Sequence, residues 1–271
     1  MKRSSTFGLA LVCALILTIL TGCSTNQQAT EKETRISSVE HITGHGLKVR
    51  SHNGNVAVRH RDRQDVQITA HLRTIDETRL AETKIIAQRD SGGMLDIHVD
   101  WPNGKRENNE SCSFEVLIPD ATHIELTSSN GKVIVGGIGS DAVLTTSNGA
   151  IEVTDLSGPV KARTSNGAIK LTNVTGQIEA KTSNGKIQAS QVAAPFTLNT
   201  SNGGITIELK PDFSSEVDLR TSNGNINVTG LQNARLISSG DHRMRLGLGD
   251  QMNESIAHTS NGKITLRSVS Q

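Results

Sequence analysis

The stretch RTSNGAI at 163–169 returns as KTSNGKI at 181–187 and as RTSNGNI at 220–226. The Asn of each Asn-Gly pair falls at 130, 148, 166, 184, 202, 223 and 261. The first four steps are 18 residues, and 21 and 38 follow. A fixed short period means stacked repeats, each too small to bury a core alone. The last step is about twice the period. It places a missing repeat near Ser239-Gly240-Asp241, with Gly-Asp standing for Asn-Gly.

One repeat, NGAIEVTDLSGPVKARTS (148–165), alternates apolar and polar residues on either side of an apolar corner. Alternation of period two sends Ile151, Val153, Val160 and Ala162 to one face, with Leu156 at the corner. The next two repeats put Ile169, Leu171, Val174, Ile178 and Ala180, then Ile187, Ala189, Val192, Phe196 and Leu198, at the same offsets. Aromatics make up 2% of the chain, so the core must be aliphatic and β-branched, which suits layered strands. The expected fold is all-β: a single-stranded parallel β-helix, or β-solenoid, with 18-residue rungs. It is taken as right-handed because crossover connections are. From Ser128 to Gln271 there is room for roughly eight rungs of about 4.8 Å each.

In-register stacking puts each corner above its equivalent. The expected file is Asn130-Gly131, Asn148-Gly149, Asn166-Gly167, Asn184-Gly185, Asn202-Gly203, Asn223-Gly224 and Asn261-Gly262. The asparagine amides can hydrogen-bond along it as a ladder, with the preceding Thr and Ser stacking alongside. Glycine is expected at the turn to supply a positive φ. The recurring turn therefore reads as structural. On the outer faces Glu152, Lys170 and Gln188 share one column, and Lys161, Glu179 and Thr197 another. Opposite charges then fall near each other on neighbouring rungs.

Residues 36–127 read as a strand-rich region packing on a solenoid of 128–271. LKVRSHNGNVAVRH (47–60) gives two strands around Asn53-Gly54, and DVQITAHLR (65–73) gives a third. Thr74 and Glu77 form a capping box for a short helix over 75–83. KIIAQRD and MLDIHVD flank Ser91-Gly92-Gly93 as a hairpin, and SFEVLIPD (113–120) is a further strand.

The N-terminus carries Lys2 and Arg3, an apolar run over 7–20 too short for a comfortable span, and then Leu20-Thr21-Gly22-Cys23. Leu-x-Gly-Cys resembles the lipobox of bacterial lipoproteins. That resemblance implies a signal peptide over 1–22 and lipidation of Cys23. With Ser24 next, it also implies the periplasmic side of the outer membrane if the source is a diderm. Residues 23–35 read as the lipidated Cys and a flexible tether. A mature chain near neutrality argues against a nucleic-acid partner. With Cys13 removed and Cys23 lipidated, Cys112 has no disulfide partner and reads as a small buried hydrophobe.

The strand FEVLIPD leading into rungs of T-S-N-G-x-I-x-V-x-x-L-x-G-x-V resembles a family of bacterial proteins provisionally named adhesins, of unknown function. The resemblance covers about residues 36–269. It implies a β-solenoid and no catalytic residues. Other motifs fall short of a site. GGIGSDAV (136–143) fits one copy of a calcium nonapeptide whose cage needs tandem copies. His41 and His45 lie four apart, but Gly44 and Gly46 argue against the helix that would align them. Glycoside hydrolysis needs two carboxylates at a defined separation, and the Asp residues are scattered.

The expected function is non-enzymatic. A lipoprotein of the cell envelope, held to the membrane by its N-terminal lipid, presents the solenoid to another envelope protein or polymer. It needs no cofactor, metal or small-molecule substrate. The alternatives are end-to-end assembly of the kind bactofilins resemble and a polysaccharide-active β-helix enzyme.

Overall fold

The computed structural model describes residues 31–250 and 253–268. The N-terminal region contains β1 (Glu31–Glu40), β2 (Leu47–Arg50), β3 (Val56–His60), β4 (Asp65–Thr74), α1 (Glu77–Glu82), β5 (Lys84–Arg89), β6 (Leu95–Asp100) and β7 (Ser111–Ile118). Five strand pairs follow, each split by an Asn-Gly corner. They are β8 (His123–Thr127) with β9 (Val133–Gly136), and β10 (Asp141–Thr145) with β11 (Ile151–Leu156). Next come β12 (Val160–Arg163) with β13 (Ile169–Val174), β14 (Ile178–Lys181) with β15 (Ile187–Val192), and β16 (Phe196–Thr200) with β17 (Ile205–Leu209). The C-terminal region holds β18 (Ser215–Thr221), β19 (Ile226–Thr229), β20 (Arg235–Gly240), β21 (Arg243–Leu248), β22 (Glu254–Thr259) and β23 (Ile264–Ser268).

Two sheets run the length of the stack. One has the order β1-β4-β7-β3-β9-β11-β13-β15-β17-β23-β19, the other β20-β21-β18-β22-β16-β14-β12-β10-β8-β2-β6-β5. Each rung gives one strand to each sheet, and rungs pair in parallel and in register. Ile151 faces Ile169, Ile169 faces Ile187, and Ile187 faces Ile205. In the other sheet Ala162 faces Ala180, and Ala180 faces Leu198. The fifteen residues read as inward-facing over 151–198 are all buried. The core is these aliphatic columns, closed near one end by Phe213 stacked on Phe196 at 5.9 Å.

The first rung is β2–β3, and it lies inside the region read from sequence as a separate layer. β2 pairs with β8, and β3 with β9. Asn53-Gly54 is thus a corner of the stack. The two sheets then end differently. β7 extends one in parallel, and β4 and β1 close it antiparallel. β6 extends the other, and β5 turns back on it, as the Ser91-Gly92-Gly93 hairpin reading expects.

Residues 31–35, read as tether, belong to β1. Their strand is set by β4, whose ten residues each find a partner from Glu31 to Glu40. Arg35 ties β1 to the helix by donating to the Leu80 and Thr83 carbonyls, and it also donates to Glu33. The helix is also capped differently. Asp76 is the N-cap, and its carboxylate accepts from the Arg79 N–H at 2.8 Å. Thr74 is instead buried and donates to the Asp76 carbonyl. Arg79 then grips the fully buried Glu110 at 2.6 and 2.7 Å. Burial pushes the Glu110 carboxyl up, but the hydrogen bonds and charge of Arg79, together with backbone hydrogen bonds from Glu107 and Ile75, outweigh it and hold it below the ordinary range.

The C-terminal order departs most from the sequence reading. No rung forms around Ser239-Gly240-Asp241. Those residues end β20 and begin the turn of a hairpin, with β20 antiparallel to β21 and β21 antiparallel to β18. The last strands, β22 and β23, slot between earlier ones. β22 sits between β16 and β18, and β23 between β17 and β19. The 38-residue step therefore encloses a capping hairpin, and the rung at 261 precedes the rung at 223 in space.

Candidate functional site: the asparagine corner

Eight corners stack along one edge of the molecule. Asn148 Nδ2 donates to Asn130 Oδ1 at 2.6 Å, Asn166 to Asn148 at 2.6 Å and Asn184 to Asn166 at 2.7 Å. Asn202 donates to Asn184 at 2.7 Å, Asn261 to Asn202 at 2.8 Å and Asn223 to Asn261 at 2.7 Å. Asn130 donates to Asn53, a residue the sequence spacing does not reach. Seven amide hydrogen bonds thus run in one direction along a solvent-facing file. Aligned amide dipoles polarise one another, so such a chain is stronger than its separate links.

The glycines are needed for a reason other than a positive φ. None of the corner glycines or asparagines has one. A Cβ on Gly167 would sit inside the carbonyl group of Gly149, and a Cβ on Gly149 inside that of Gly131. Close backbone approach between rungs therefore selects glycine. The hydroxyl two residues before each Asn, buried on every rung but that of the half-buried Ser51, makes that approach favourable. Thr164 Oγ1 donates to the Gly149 carbonyl at 3.0 Å and accepts from the Gly167 N–H at 3.2 Å. Thr146, Thr182 and Ser128 do the same on their own rungs. Positive φ occurs instead at Asp155, Asn173 and Gln191, each one residue before the apolar corner at Leu156, Val174 and Val192.

The remaining candidates do not converge on chemistry. Cys23 lies outside the described residues. Cys112 is buried, and desolvation pushes its thiol well up, which suits packing and not nucleophilic attack. Asp141 of the GGIGSDAV stretch accepts from His123 at 2.8 Å. His41 Nε2 lies 3.1 Å from Asp120, and His45 joins neither. Among the described residues no group of three or more His, Cys, Asp or Glu is placed to hold a metal.

One titrating centre stands out near the capped end. The Asp218 side chain is fully buried between Arg220 and Arg243, with contacts from 2.5 to 3.1 Å. Burial pushes its carboxyl up, and the hydrogen bonds and charges of both arginines overcome that and hold it down to about 2. This clamp joins β18 to the capping strand β21. Nothing in the repeat pattern points to it, because Arg243 lies in the segment where the period breaks.

The profile of one protein family, described as Toastrack DUF4097, matches residues 31–267. The chain belongs to the Toastrack family. The match begins at β1 and ends in β23, so the whole two-sheet stack is the Toastrack unit. Comparison with curated proteins finds no match. Among solved structures, a Bacteroides fragilis protein provisionally named an adhesin is similar at 13% identity and a TM-score of 0.43. The likeness covers 86% of this chain and 96% of that one. A Clostridium sporogenes protein provisionally named for cell adhesion is similar at 14% identity and a TM-score of 0.36, over 88% and 100% of the two chains. A Parabacteroides distasonis protein provisionally named lipid binding gives 10% identity and a TM-score of 0.42, over 88% and 97%.

Proposed function

We propose that this Toastrack protein is a non-enzymatic, lipid-anchored display rod of the bacterial cell envelope. The observation that supports this reading is where the chain enters the stack. β1 begins at Glu31, eight residues after Cys23, and is the outermost strand at one end of its sheet. A lipid on Cys23 then holds that end near the membrane, while the corners and sheet faces point into the surrounding space. In a diderm the site is the periplasmic side of the outer membrane. The stack winds right-handed with 18-residue rungs, and the asparagine file is a structural device. The rod needs no cofactor, nucleic acid or small-molecule substrate. Its task is to bind another envelope component.

Radiolabelled palmitate and membrane fractionation test the anchor. The wild-type chain is expected to carry label and to sediment with membranes, and Cys23→Ser is expected to lose both. Label and membrane association that survive in Cys23→Ser overturn the anchored reading. A second reading, end-to-end assembly, draws on one feature: among the described residues β19 has a partner strand on one side only. The β20–β21 hairpin, which closes the other sheet at that end, weighs against it.

A further inference from the structure

The stacked corners share a property that their structural role does not require. Each corner occupies six residues: 50–55, 127–132, 145–150, 163–168, 181–186, 199–204, 258–263 and 220–225, in spatial order. These 48 positions contain no Asp or Glu, although the chain carries 27 of them. They contain seven Lys or Arg and two His. The opposite edge mixes the two signs, with Asp62, Asp120, Asp141, Asp155 and Asp212 in or beside its turns, where Arg61, Arg63 and Lys210 also lie. An asparagine ladder and a glycine contact need no such bias, since the position before the Thr and the position after the Gly are both open to solvent.

Strand registry sets the cations in line. Arg163 stands beside Lys181, and Arg220 beside His258 and Arg243. On the far side of the amide file lie Lys132, Lys186 and Lys263, each directly after its corner glycine. Some of this charge is answered by carboxylates on the adjoining sheet faces. Arg50 pairs with Asp96, Lys132 with Glu152, Arg163 with Glu179, and Arg220 with Asp218. Among the described residues Lys181, Lys186 and Lys263 have no ion pair, and all three are exposed. Between them run the serine hydroxyls and the amide file. Eight rungs at about 4.8 Å make a track on the order of 35 Å long.

We propose that this acid-free edge is a binding track for a linear acidic polysaccharide, an inference that rests on the display reading above. The track is long and narrow, which suits an extended chain. Its cations are separated by hydroxyls and amides, which suit a polymer carrying many hydroxyls as well as carboxylates. A nucleic acid is disfavoured because the edge holds no Phe, Tyr or Trp on which successive bases stack. A bilayer surface is disfavoured because the exposed large apolar residues Ile42, Leu236 and Ile237 lie off the edge.

The test uses the full chain with Cys23→Ser, free of detergent and of the lipid anchor, and biolayer interferometry on immobilised polygalacturonate. Fully methyl-esterified polygalacturonate, polyphosphate and phosphatidylglycerol vesicles are the comparison probes. Binding to polygalacturonate is expected to weaken as salt rises and to be at least tenfold tighter than to each comparison probe. Lys181→Gln/Lys186→Gln/Lys263→Gln is expected to weaken it at least tenfold. Lys161→Gln/Lys170→Gln, on the sheet faces, is expected to leave it unchanged. Ser165→Glu/Ser183→Glu keeps every lysine and is expected to weaken binding through repulsion alone. Absent binding, equal binding to the methyl ester, tighter binding to polyphosphate or vesicles, or equal effects of the edge and face variants overturn the proposal. Crosslinking in intact envelopes separates this failure from failure of the display reading. A partner captured equally by wild type and the triple variant sinks the track alone, and a wild-type chain that captures nothing sinks the display reading.

Discussion

At Gly167 the space for a side chain is already taken by the Gly149 carbonyl. Gly167→Ala must push neighbouring rungs apart, and is expected to cost about 1–3 kcal/mol in urea unfolding, as overpacking does. Gly240→Ala, where a Cβ meets nothing within 4 Å, is the control and is expected to stay within about 0.5 kcal/mol. Asp218 makes the pH-dependent prediction. Its folded pKa of about 2 lies below the ordinary 3.8, so its contribution is complete above the unfolded value. It is lost as pH falls through 3.8 toward 2, and amounts to about 2 kcal/mol. Asp218→Asn is expected to flatten stability between pH 5 and 2, and an unchanged slope there overturns the assignment. The identity of the corner residues was plain in the sequence, but the reason for the glycine was not. A turn that looks like a positive-φ site from its letters owes its glycine to a neighbour one rung away, and that neighbour's distance is a property of the stack.

The alternation of Ile151, Val153, Val160 and Ala162 made the strands readable, because burial on one face imposes a period on the letters. What letters cannot show is which strands meet when the period breaks. Asn53 lies 77 residues before Asn130, with a helix and several strands between them, so no spacing ties it to the ladder. Its local signal, RSHNGN after the alternating LKV, matches TSSNGK after IEL once the period is ignored. The rung of β22 and β23 was legible as a rung, but its slot was not. That slot yields a prediction. Deleting residues 253–271 removes strands flanked on both sides in both sheets, while deleting 235–248 removes only the hairpin that caps one sheet. The first deletion is expected to abolish cooperative urea unfolding. The second is expected to lower the midpoint and keep the transition.

For the whole molecule, the closed ends matter as much as the repeats. Antiparallel strands finish both sheets at the β1 end, and a hairpin finishes one sheet at the other. The strands left at those ends carry charges, such as Glu31, Lys32 and Glu33 on β1 and Lys84 and Arg89 on β5, or a register shift between Leu236 and Ser238 in β20, and these blunt an edge that otherwise invites pairing. Sedimentation velocity of the full chain with Cys23→Ser is therefore expected to show one monomeric species across a wide range of concentration. Growth of fast-sedimenting species with concentration, and filaments under the microscope, instead support assembly through β19. The acid-free edge is also a property of the whole stack, since no single corner is distinctive and only the eight together form a line.

A ribosome makes the strands on both sides of β22 and β23 before it makes β22 and β23 themselves. When Arg243 and Leu248 have emerged, the places beside β16 and β17 are still vacant, and the segment destined for them has yet to be made. The domain is built like a belt whose tongue passes back under the final loop. The stack is complete only when β22 and β23 arrive, so a protein cut short before Glu254 lacks an inner layer and not merely a tip.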